Sequence, residues 1–467
     1  MHDSYKNSLF TLIYKKKFPI KIISKSCLQK HPFDIKKKIF FKLHKENIYL
    51  ADSHDKLPVK GNYEICSEAI NFYQSTGLII PPNTVFKEIY SVPVGFKFCE
   101  KKQDFILEKK INYQGEEIIN FLGKLIGESY NYKNVNLLFS GGADSSLLLY
   151  LMRKYQPKQK IKSIFFNSGN LKYDLKRAKK LSILLDSELK EVLPREEDPK
   201  VVKKFLIEKT YKFKELIYEP ILFSIDSIFK EIPNGGVVFD GQGADTVLGG
   251  LPHHFLIKLY SIKLIRLFSK LGIITLFIKL FKPLRNKTRL FYRIHKLLLS
   301  LNEKKISSCL VNSLISTEKT FKKDDIYYLH EEILNVFLNE YDECSSVSLF
   351  FLSILSSREL QKYKLNKKLV YCLPYLEPEF IHYCLSLSND LKCKLTRRKI
   401  PIIDYLNKNL PFKYYSNQQL PFEPHSSHVL SDAGNKSFDP LIKSKNMRDI
   451  SIRALYKKYM RTNKDIL

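Results

Sequence analysis

Residues 137–149 of this 467-residue chain read Leu-Leu-Phe-Ser-Gly-Gly-Ala-Asp-Ser-Ser-Leu-Leu-Leu, and this stretch decides the fold class. Its apolar beginning is typical of a buried strand, and the leucines at its end are typical of a helix. Between them, Gly141 and Gly142 allow backbone angles that side chains forbid, so the chain can turn tightly there. The stretch therefore predicts a strand, a tight turn and a helix that begins on serines.

The predicted turn has the properties of a phosphate site. Amides at the start of a helix have no partner within the helix and lie at the positive end of its dipole, which favours anions. Ser140, Ser145 and Ser146 add hydroxyl donors. Asp144 fits such a site if a hard cation such as Mg2+ joins the protein to the phosphate. The usual phosphate loop is excluded because no Gly-Lys-Ser/Thr follows. An ordinary strand-to-helix turn with serine caps is the less favoured alternative.

A second glycine-rich motif occupies residues 237–250, which read Val-Val-Phe-Asp-Gly-Gln-Gly-Ala-Asp-Thr-Val-Leu-Gly-Gly. Its β-branched and aromatic beginning predicts another short buried strand. Glycines at the end of a strand let the backbone approach a ligand closely. Asp245 supplies a second carboxylate, and Gly241 and Gln242 stand close to the end of the predicted strand.

The two motifs resemble those of the asparagine synthetase superfamily. Ser-Gly-Gly-x-Asp-Ser-Ser is similar to the pyrophosphatase loop of enzymes that split ATP between its α and β phosphates. The resemblance covers about residues 65–425 and implies an α/β fold: a parallel twisted sheet flanked by helices, a mostly helical C-terminal part and a small β-rich N-terminal domain. Further matching segments are residues 77–95, 219–220, 374–378, 385–387, 399–400 and 410–411.

The resemblance also implies roles for individual residues. ATP would bind at the first motif with its adenine against a strand at residues 161–167. Asp144 and Asp245 would hold Mg2+ on the pyrophosphate, and Gly241 and Gln242 would lie near the reacting carboxyl group and the adenylate. The candidate nucleotide-binding residues are Leu138, Ser140, Gly141, Gly142, Asp144, Ser145, Ser146, Phe166 and Gly241, and the candidate catalytic residues are Gln242 and Lys399.

The chain departs from the glutamine-dependent members of the superfamily at its N terminus. Those enzymes begin with a cysteine that is exposed when the initiator methionine is removed, and its thiol attacks glutamine. Here position 2 is His2, and the first cysteine is Cys27. We therefore expect no glutamine hydrolysis by this chain. Nitrogen would come from free ammonia, a separate partner or an amine within the substrate, as in β-lactam synthetases and lasso-peptide cyclases.

A second departure lies after the Leu-Pro pair at residues 410–411. The superfamily usually has Arg-x-Lys there, and the lysine ammonium stabilises charge that develops during amide formation. The corresponding positions are Asn417 and Gln419, so the lysine is missing. Lys362, Lys399 or Lys413 could take its place.

Composition indicates a folded protein with room for two or three domains, since hydrophobic residues are 44% and aromatic residues 13% of the chain. We predict a degenerate glutaminase-like β-rich domain over residues 1–110, an asparagine synthetase-like ATP-binding ligase domain over 111–430 and a helical tail over 431–467. The eight cysteines contain no Cys-x-x-Cys pair, which argues against a disulfide framework or zinc ribbon and fits the cytoplasm. The charged opening lacks the apolar core of a secretory signal.

The formal charge of +30 has two interpretations. A lysine-rich solvated surface is favoured over an acidic partner, and no segment resembles a standard nucleic-acid module, so we expect no nucleic acid. Residues 255–299 alternate Leu, Ile and Phe with Lys and Arg, and the apolar run 271–278 is too short to span a bilayer. A helix pair packed on the core is favoured there, and peripheral contact of an in-plane helix with a membrane is the alternative.

Other candidates for chemistry have plainer explanations. His253 and His254 are expected in a loop rather than at a metal site. His425 and His428 have the spacing of metal ligands but no companion ligands, which favours a solvated loop. Cys372 lies in an apolar run and is expected in the core.

Three functions remain open after these observations. The first is ATP-dependent amide formation on a peptide, small metabolite or surface sugar acid. The second is amidation of aspartate with ammonia from outside. The third is a non-catalytic adenylate-binding protein that scaffolds a pathway, which the missing lysine favours.

Overall fold

The computed structural model contains a parallel sheet covered by helices, a small β-rich N-terminal part and a mostly helical C-terminal part, as the sequence predicts. It describes residues 8–16, 18–24, 28–58, 63–111, 117–167, 172–193, 198–218, 221–285, 287–315, 323–414 and 445–461.

The central sheet has five parallel strands in the order β11-β10-β7-β8-β9. Its strands are β7 (Asn134–Leu138), β8 (Lys160–Phe166), β9 (Glu188–Val192), β10 (Val237–Phe239) and β11 (Val370–Cys372). The helices that connect or flank them are α3 (Ile118–Ser129), α4 (Ala143–Tyr155), α5 (Lys172–Leu184), α6 (Pro199–Phe213), α7 (Ile221–Lys230) and α8 (Ala244–Val247). The strands predicted at residues 161–167 and 237–239 are confirmed as β8 and β10.

The strand order places both sequence motifs at one point of the sheet. From β7 the chain adds β8 and β9 on one side, and then returns to add β10 on the other side of β7. Loops leave the carboxyl ends of adjacent strands in opposite directions at such a reversal, and ligands of open α/β sheets bind in the crevice between them. The first motif follows β7 and the second follows β10, so both lie at this crevice.

The N-terminal part contains a four-stranded sheet in the order β1-β3-β2-β4 and a separate hairpin. The sheet strands are β1 (Ile20–Ile22), β2 (Phe40–His44), β3 (Asn47–Ala51) and β4 (Tyr90–Ser91), the hairpin strands are β5 (Phe96–Cys99) and β6 (Asp104–Leu107), and the helices are α1 (Leu9–Tyr14) and α2 (Ser67–Thr76). The β-rich character predicted for this part is confirmed.

Helices dominate the chain after the second motif. They are α9 (Pro252–Tyr260), α10 (Lys263–Lys270), α11 (Ile273–Phe281), α12 (Arg289–Leu301), α13 (Ile306–Leu314), α14 (Asp325–Glu340), α15 (Glu343–Leu365), α16 (Pro378–Ser386), α17 (Asn389–Lys392), α18 (Ile400–Asn409) and α19 (Lys445–Arg461). A 3-10 turn at Pro374–Leu376 follows β11.

Helix α15 joins the N-terminal part to the sheet although serines are frequent in it. Several of its buried hydroxyls donate to carbonyls one turn back, as Ser348 does to Cys344 at 3.0 Å and Ser353 to Leu349 at 3.2 Å, which satisfies these donors within the helix. The oxygen of Ser353 also accepts from the amide of Val94 at 3.0 Å. One hydrophobic core runs from Leu9 to Leu455 through both parts.

Two expectations about the region after Gly250 are wrong. His253 and His254 do not lie in a loop but in the first turn of α9, where Pro252 takes the first helical position that its ring favours. Residues 255–299 form parts of four helices rather than a pair. Of these, α9 contributes Ile257 to the main core, whereas α10 has no buried residue.

Candidate active site

The first motif forms a loop between β7 and α4 that is held by its own serines. The Ser145 hydroxyl lies 3.3 Å from the amide of Ser140 and 3.2 Å from the Ser140 hydroxyl, which in turn accepts from the amide of Gly142 at 3.2 Å. Gly141 has a φ of 70°, in the left-handed region, and a side chain there would come within 2.6 Å of the Asp174 carbonyl oxygen. The loop therefore needs glycine both for its turn and for its contact with α5.

The amides of the first turn of α4 are available to a ligand, since a helix gives its first donors no internal partner. Ser146 is different. Its amide donates to the Gly142 carbonyl at 3.0 Å and its side chain is fully buried. The Ser146 hydroxyl is buried without a hydrogen-bond partner in the described residues, and its contact with a phosphate stays a prediction. Ser140 remains exposed.

The second motif packs directly against the first. A side chain at Gly241 would lie 3.4 Å from the amide of Ser145, so the turn after β10 rests on the start of α4. Gly243, with a φ of 99°, begins the short helix α8 that carries Asp245. The amide of Gln242 donates to Oδ1 of Asp240 at 3.0 Å. The two predicted motifs thus form one site, with Asp144 and Asp245 on its two sides.

Lys399 connects the two motifs. Its Nζ lies 3.0 Å from both carboxylate oxygens of Asp144 and 3.0 Å from Oδ1 of Asp245. The Lys399 side chain is only 2% exposed, whereas those of Asp144 and Asp245 are 20% and 36% exposed. Lys399 precedes α18 in the left-handed conformation, with a φ of 51°, which is uncommon for a residue with a side chain. Such unfavourable backbone geometry concentrates at functional sites.

Electrostatics couples these three groups. Burial, together with the neighbouring Asp245 carboxylate, raises the pKa of Asp144 to about 6, because these effects outweigh the attraction of the Lys399 ammonium. Burial alone would lower the pKa of Lys399, but the attraction of Asp144 and Asp245 prevails and raises it. The ammonium therefore stays charged at neutral pH.

A buried polar network that the sequence does not reveal supports the second motif. The Tyr371 hydroxyl donates to Oδ2 of Asp240 at 2.5 Å and lies 3.2 Å from Glu359. Lys362 donates to Glu359 at 2.9 Å and lies 3.8 Å from Asp240. Asp240 in turn accepts from the Gln242 amide, so Lys362 acts on the motif through this network. The signal in the sequence is slight: two opposite charges three residues apart in a helical pattern.

Two further residues touch the first motif. The Tyr375 hydroxyl donates to the Asp144 carbonyl at 2.9 Å, from the Pro-Tyr-Leu-Glu segment that the resemblance includes. Nη1 of Arg177 donates to the Gly141 carbonyl at 3.4 Å and brings a positive charge beside the loop. Arg177 follows from no motif, because only the packing of α5 on the loop places it there.

The other residues predicted from the sequence lie at the edge of the sheet, on the surface, in the core or outside the described residues. Leu138 and Phe166 end the adjacent strands β7 and β8, at the same edge of the sheet as the loop, and an adenine contact there stays a prediction. Lys413 is exposed. Cys372 is buried, as expected. Cys27, residues 219–220, Asn417, Gln419, His425 and His428 lie outside the described residues.

The pair of carboxylates has the ligand chemistry of a Mg2+ site. Asp144 and Asp245 each have an oxygen 3.0 Å from the Lys399 nitrogen, so both carboxylates reach one point of the crevice. Carboxylate oxygens suit Mg2+, which usually takes one or two of them and completes its shell with water and phosphate oxygens. Within the described residues, no group of three or more His, Cys, Asp and Glu side chains gathers at one point, so phosphate or water would supply the other ligands.

The fold and the two motifs define a class of α/β proteins that carry glycine-rich loops at the carboxyl edge of a parallel sheet. Comparison with known proteins shows the family. A family model described as asparagine synthase matches residues 132–462, and the chain therefore belongs to the asparagine synthase family. It is similar to asparagine synthetase [glutamine-hydrolyzing] 1 of Bacillus subtilis (strain 168), with 24% identity over 238 residues.

The similarity to that relative is partial. It covers 47% of this chain and 36% of the relative. The activity, substrates and nitrogen source of the relative do not transfer to this chain by themselves.

Proposed function

We propose that this chain is an ATP-dependent amide ligase that adenylates a carboxylate and passes the acyl group to a nitrogen nucleophile. One observation carries the proposal: carboxylates from two separate motifs, Asp144 and Asp245, meet at a single buried ammonium, Lys399, beside a loop with the donors of a phosphate site. Burying two carboxylates and a lysine in a partly desolvated position opposes folding, so their placement at the crevice favours a role in binding and reaction of the nucleotide.

Charge supports pyrophosphate as the leaving group. Two ionised carboxylates and one ammonium leave the cluster with one net negative charge, which repels a triphosphate. Mg2+ held by Asp144 and Asp245 would reverse that sign and neutralise charge on the departing pyrophosphate. Lys399 and the first-turn amides of α4 then face anionic oxygens, and their fixed positions lower the cost of charge development.

The reaction balances in two steps. A substrate carboxylate oxygen attacks the α phosphorus, the bond from that phosphorus to the bridging oxygen breaks, and pyrophosphate leaves. The nitrogen nucleophile then attacks the acyl carbon, loses a proton and expels AMP. We assign Gly241 and Gln242 to the acyl end of the substrate. Gly241 rests on the start of α4, which carries Asp144, and the amide of Gln242 donates to Asp240 of the buried network. Holding both reactants in one crevice supplies much of the rate through proximity.

Product analysis tests this proposal. Purified protein is incubated with ATP labelled at the α phosphate, Mg2+ and a panel of carboxylates that includes aspartate, short peptides and sugar acids, with ammonium or glutamine as nitrogen donor. We expect labelled AMP that depends on one carboxylate. AMP formed with aspartate favours asparagine formation, and AMP formed with another acid favours tailoring. Labelled ADP, or ATP binding without AMP from any acid, would overturn the proposal, and the second result favours the scaffold.

A further inference from the structure

Helices α10 and α11 present an apolar surface to solvent. The α10–α11 face consists of Leu264, Leu267, Phe268, Leu271, Leu276, Phe277 and Leu280, whose exposed fractions lie between 37% and 67%. The first four of these residues follow one another at intervals of three, one and three positions, which places them on one side of α10. A soluble helix usually turns such a stripe toward the core. Here the stripe faces outward, and none of the eight residues of α10 is buried.

The orientation of these helices is fixed from their other side. Ile274 of α11 is buried in a satellite core with Leu256, Tyr260 and Leu301, and Ile265 of α10 packs against the same cluster. The guanidinium of Arg266 lies 5.6 Å from the centre of the Tyr260 ring. The outward direction of the α10–α11 face therefore follows from packing on α9 and α12.

The charged residues of the segment that carries this face have a single sign. Residues 246–302 contain eleven Lys and Arg and no Asp or Glu. Lys263, Lys270, Lys279 and Lys282 are exposed on the same two helices or at their ends. Apolar side chains interleaved with lysines are the pattern of helices that lie in the plane of a membrane surface. Lysines beside an anionic leaflet add attraction that neutral lipids do not provide.

We propose that the α10–α11 face docks on the surface of an anionic bilayer, with its leucines and phenylalanines at the boundary of headgroups and acyl chains and its lysines among lipid phosphates. No helix in the described ranges is long and apolar enough to cross a membrane, so the contact is peripheral. A second copy of the chain is a poorer occupant, because a two-fold dimer through this face would bring two basic rims together. The docking is independent of the proposed ligase activity.

Co-sedimentation with vesicles tests the proposal. The full chain is mixed with vesicles of phosphatidylcholine alone or of phosphatidylcholine with phosphatidylglycerol. We expect binding to the anionic vesicles that weakens as salt rises. The double change Leu267→Ser and Phe268→Ser should weaken it by about tenfold or more, because each side chain then loses its transfer out of water. Changing Lys270, Lys279 and Lys282 to Gln should weaken it by about fivefold for each charge.

Matched variants on another surface control for nonspecific effects. Ile183→Ser with Val201→Ser removes two apolar side chains that are 83% and 52% exposed, and Lys200, Lys203 and Lys204 changed to Gln remove three charges from α6. These variants should bind as the unaltered chain does, and all variants should unfold at the same temperature. Binding to neither vesicle, or equal binding by all variants, would overturn the proposal. A dimer seen by sedimentation velocity without lipid would also overturn the proposal if the Leu267 and Phe268 changes dissociate it. The α10–α11 face would then be an interface between copies.

Discussion

While no cation is bound, the Lys399 ammonium is the group that offsets the negative charge of Asp144 and Asp245. Replacing it by methionine keeps the stem but leaves Asp144 and Asp245 facing each other without compensation. Loss of one partner of a buried ion pair costs about 3–5 kcal/mol. We expect Lys399→Met to lower the thermal midpoint of the protein in EDTA, and added Mg2+ to recover part of that loss.

Lys362→Met is the matched control for that experiment. Lys362 is also buried and paired, but with Glu359 and Asp240 rather than with the two motif carboxylates. Its replacement should destabilise the protein equally in EDTA and in Mg2+. If Mg2+ restored both variants alike, or neither, Asp144 and Asp245 would not be a magnesium site.

Asp144 gives the site a specific pH dependence. Its pKa is raised from 3.8 to about 6 by burial, so the folded protein holds this proton more tightly than the unfolded chain does. The contribution of this group to folding is therefore complete below pH 3.8 and is lost as the pH rises through 6. Mg2+ binds the ionised form of Asp144, so the affinity for Mg2+ rises as the pH rises through 6.

We accordingly expect the affinity for Mg2+, measured by isothermal titration, to fall about tenfold for each pH unit below pH 6. Asp144→Asn should remove that dependence together with most of the affinity. An affinity that stays constant between pH 7 and pH 5 would contradict the assignment of Asp144 as a ligand.

At the scale of elements, the turn between β7 and α4 is the part of the site most sensitive to small changes. Gly141→Ala introduces a side chain at a φ of 70° and within 2.6 Å of the Asp174 carbonyl oxygen on α5. We expect it to weaken ATP binding, measured by equilibrium titration, and to reduce the free energy of unfolding by more than the roughly 1–2 kcal/mol of the left-handed backbone alone.

Gly235→Ala separates these two causes. Gly235 has a φ of 80°, but a side chain there meets nothing within 4 Å. Gly235→Ala should reduce the free energy of unfolding only through its left-handed backbone, and it should bind ATP normally. Equal ATP affinities of the two variants would show that the contact of the loop with α5 does not shape the nucleotide site.

The elements that the sequence predicts correctly are those with local signals. Residues 137–149 contain the strand, the glycines and the helix start side by side, and the structure confirms β7 and α4 there. Pro252 was an equally local signal for the start of α9, and it decides against the loop expected at His253 and His254. The stripe of α10 also follows from spacing alone, but spacing does not tell which side of a helix faces solvent. Which side of α10 faces solvent depends on how α10 and α11 pack against α9 and α12.

Contacts between distant segments are what the sequence could not supply. Lys399 and Asp144 are 255 positions apart, and no local pattern requires them to meet. The network of Lys362, Glu359, Tyr371 and Asp240 depends likewise on how α15 lies against β10 and β11. Family resemblance reaches Asp144 and Asp245 because their motifs are continuous in sequence. It gives Lys399 as a catalytic candidate and one of three possible substitutes for a missing lysine, but it does not place Lys399 beside the two carboxylates.

At the scale of the whole molecule, the N-terminal part and the sheet share one core. The boundary predicted near residue 110 separates two patterns in the sequence, but buried side chains on both sides of it contact each other through α15, as at Val94 and Ser353. We therefore expect the two parts to unfold together. Calorimetry should show one transition whose calorimetric and van't Hoff enthalpies agree. Two resolved transitions, one of them removed by deleting residues 1–110, would contradict a shared core.

ATP–pyrophosphate exchange tests whether Asp144 and Asp245 form one site for adenylation. With the carboxylate that supports AMP formation, the unaltered chain should incorporate labelled pyrophosphate into ATP. Asp144→Asn and Asp245→Asn should each lower the rate by on the order of 10²-fold or more. Asp390→Asn, which changes a carboxylate that is 83% exposed, should leave it unchanged. Exchange at the unaltered rate in the Asp144 and Asp245 variants would show that these carboxylates do not form the adenylation site.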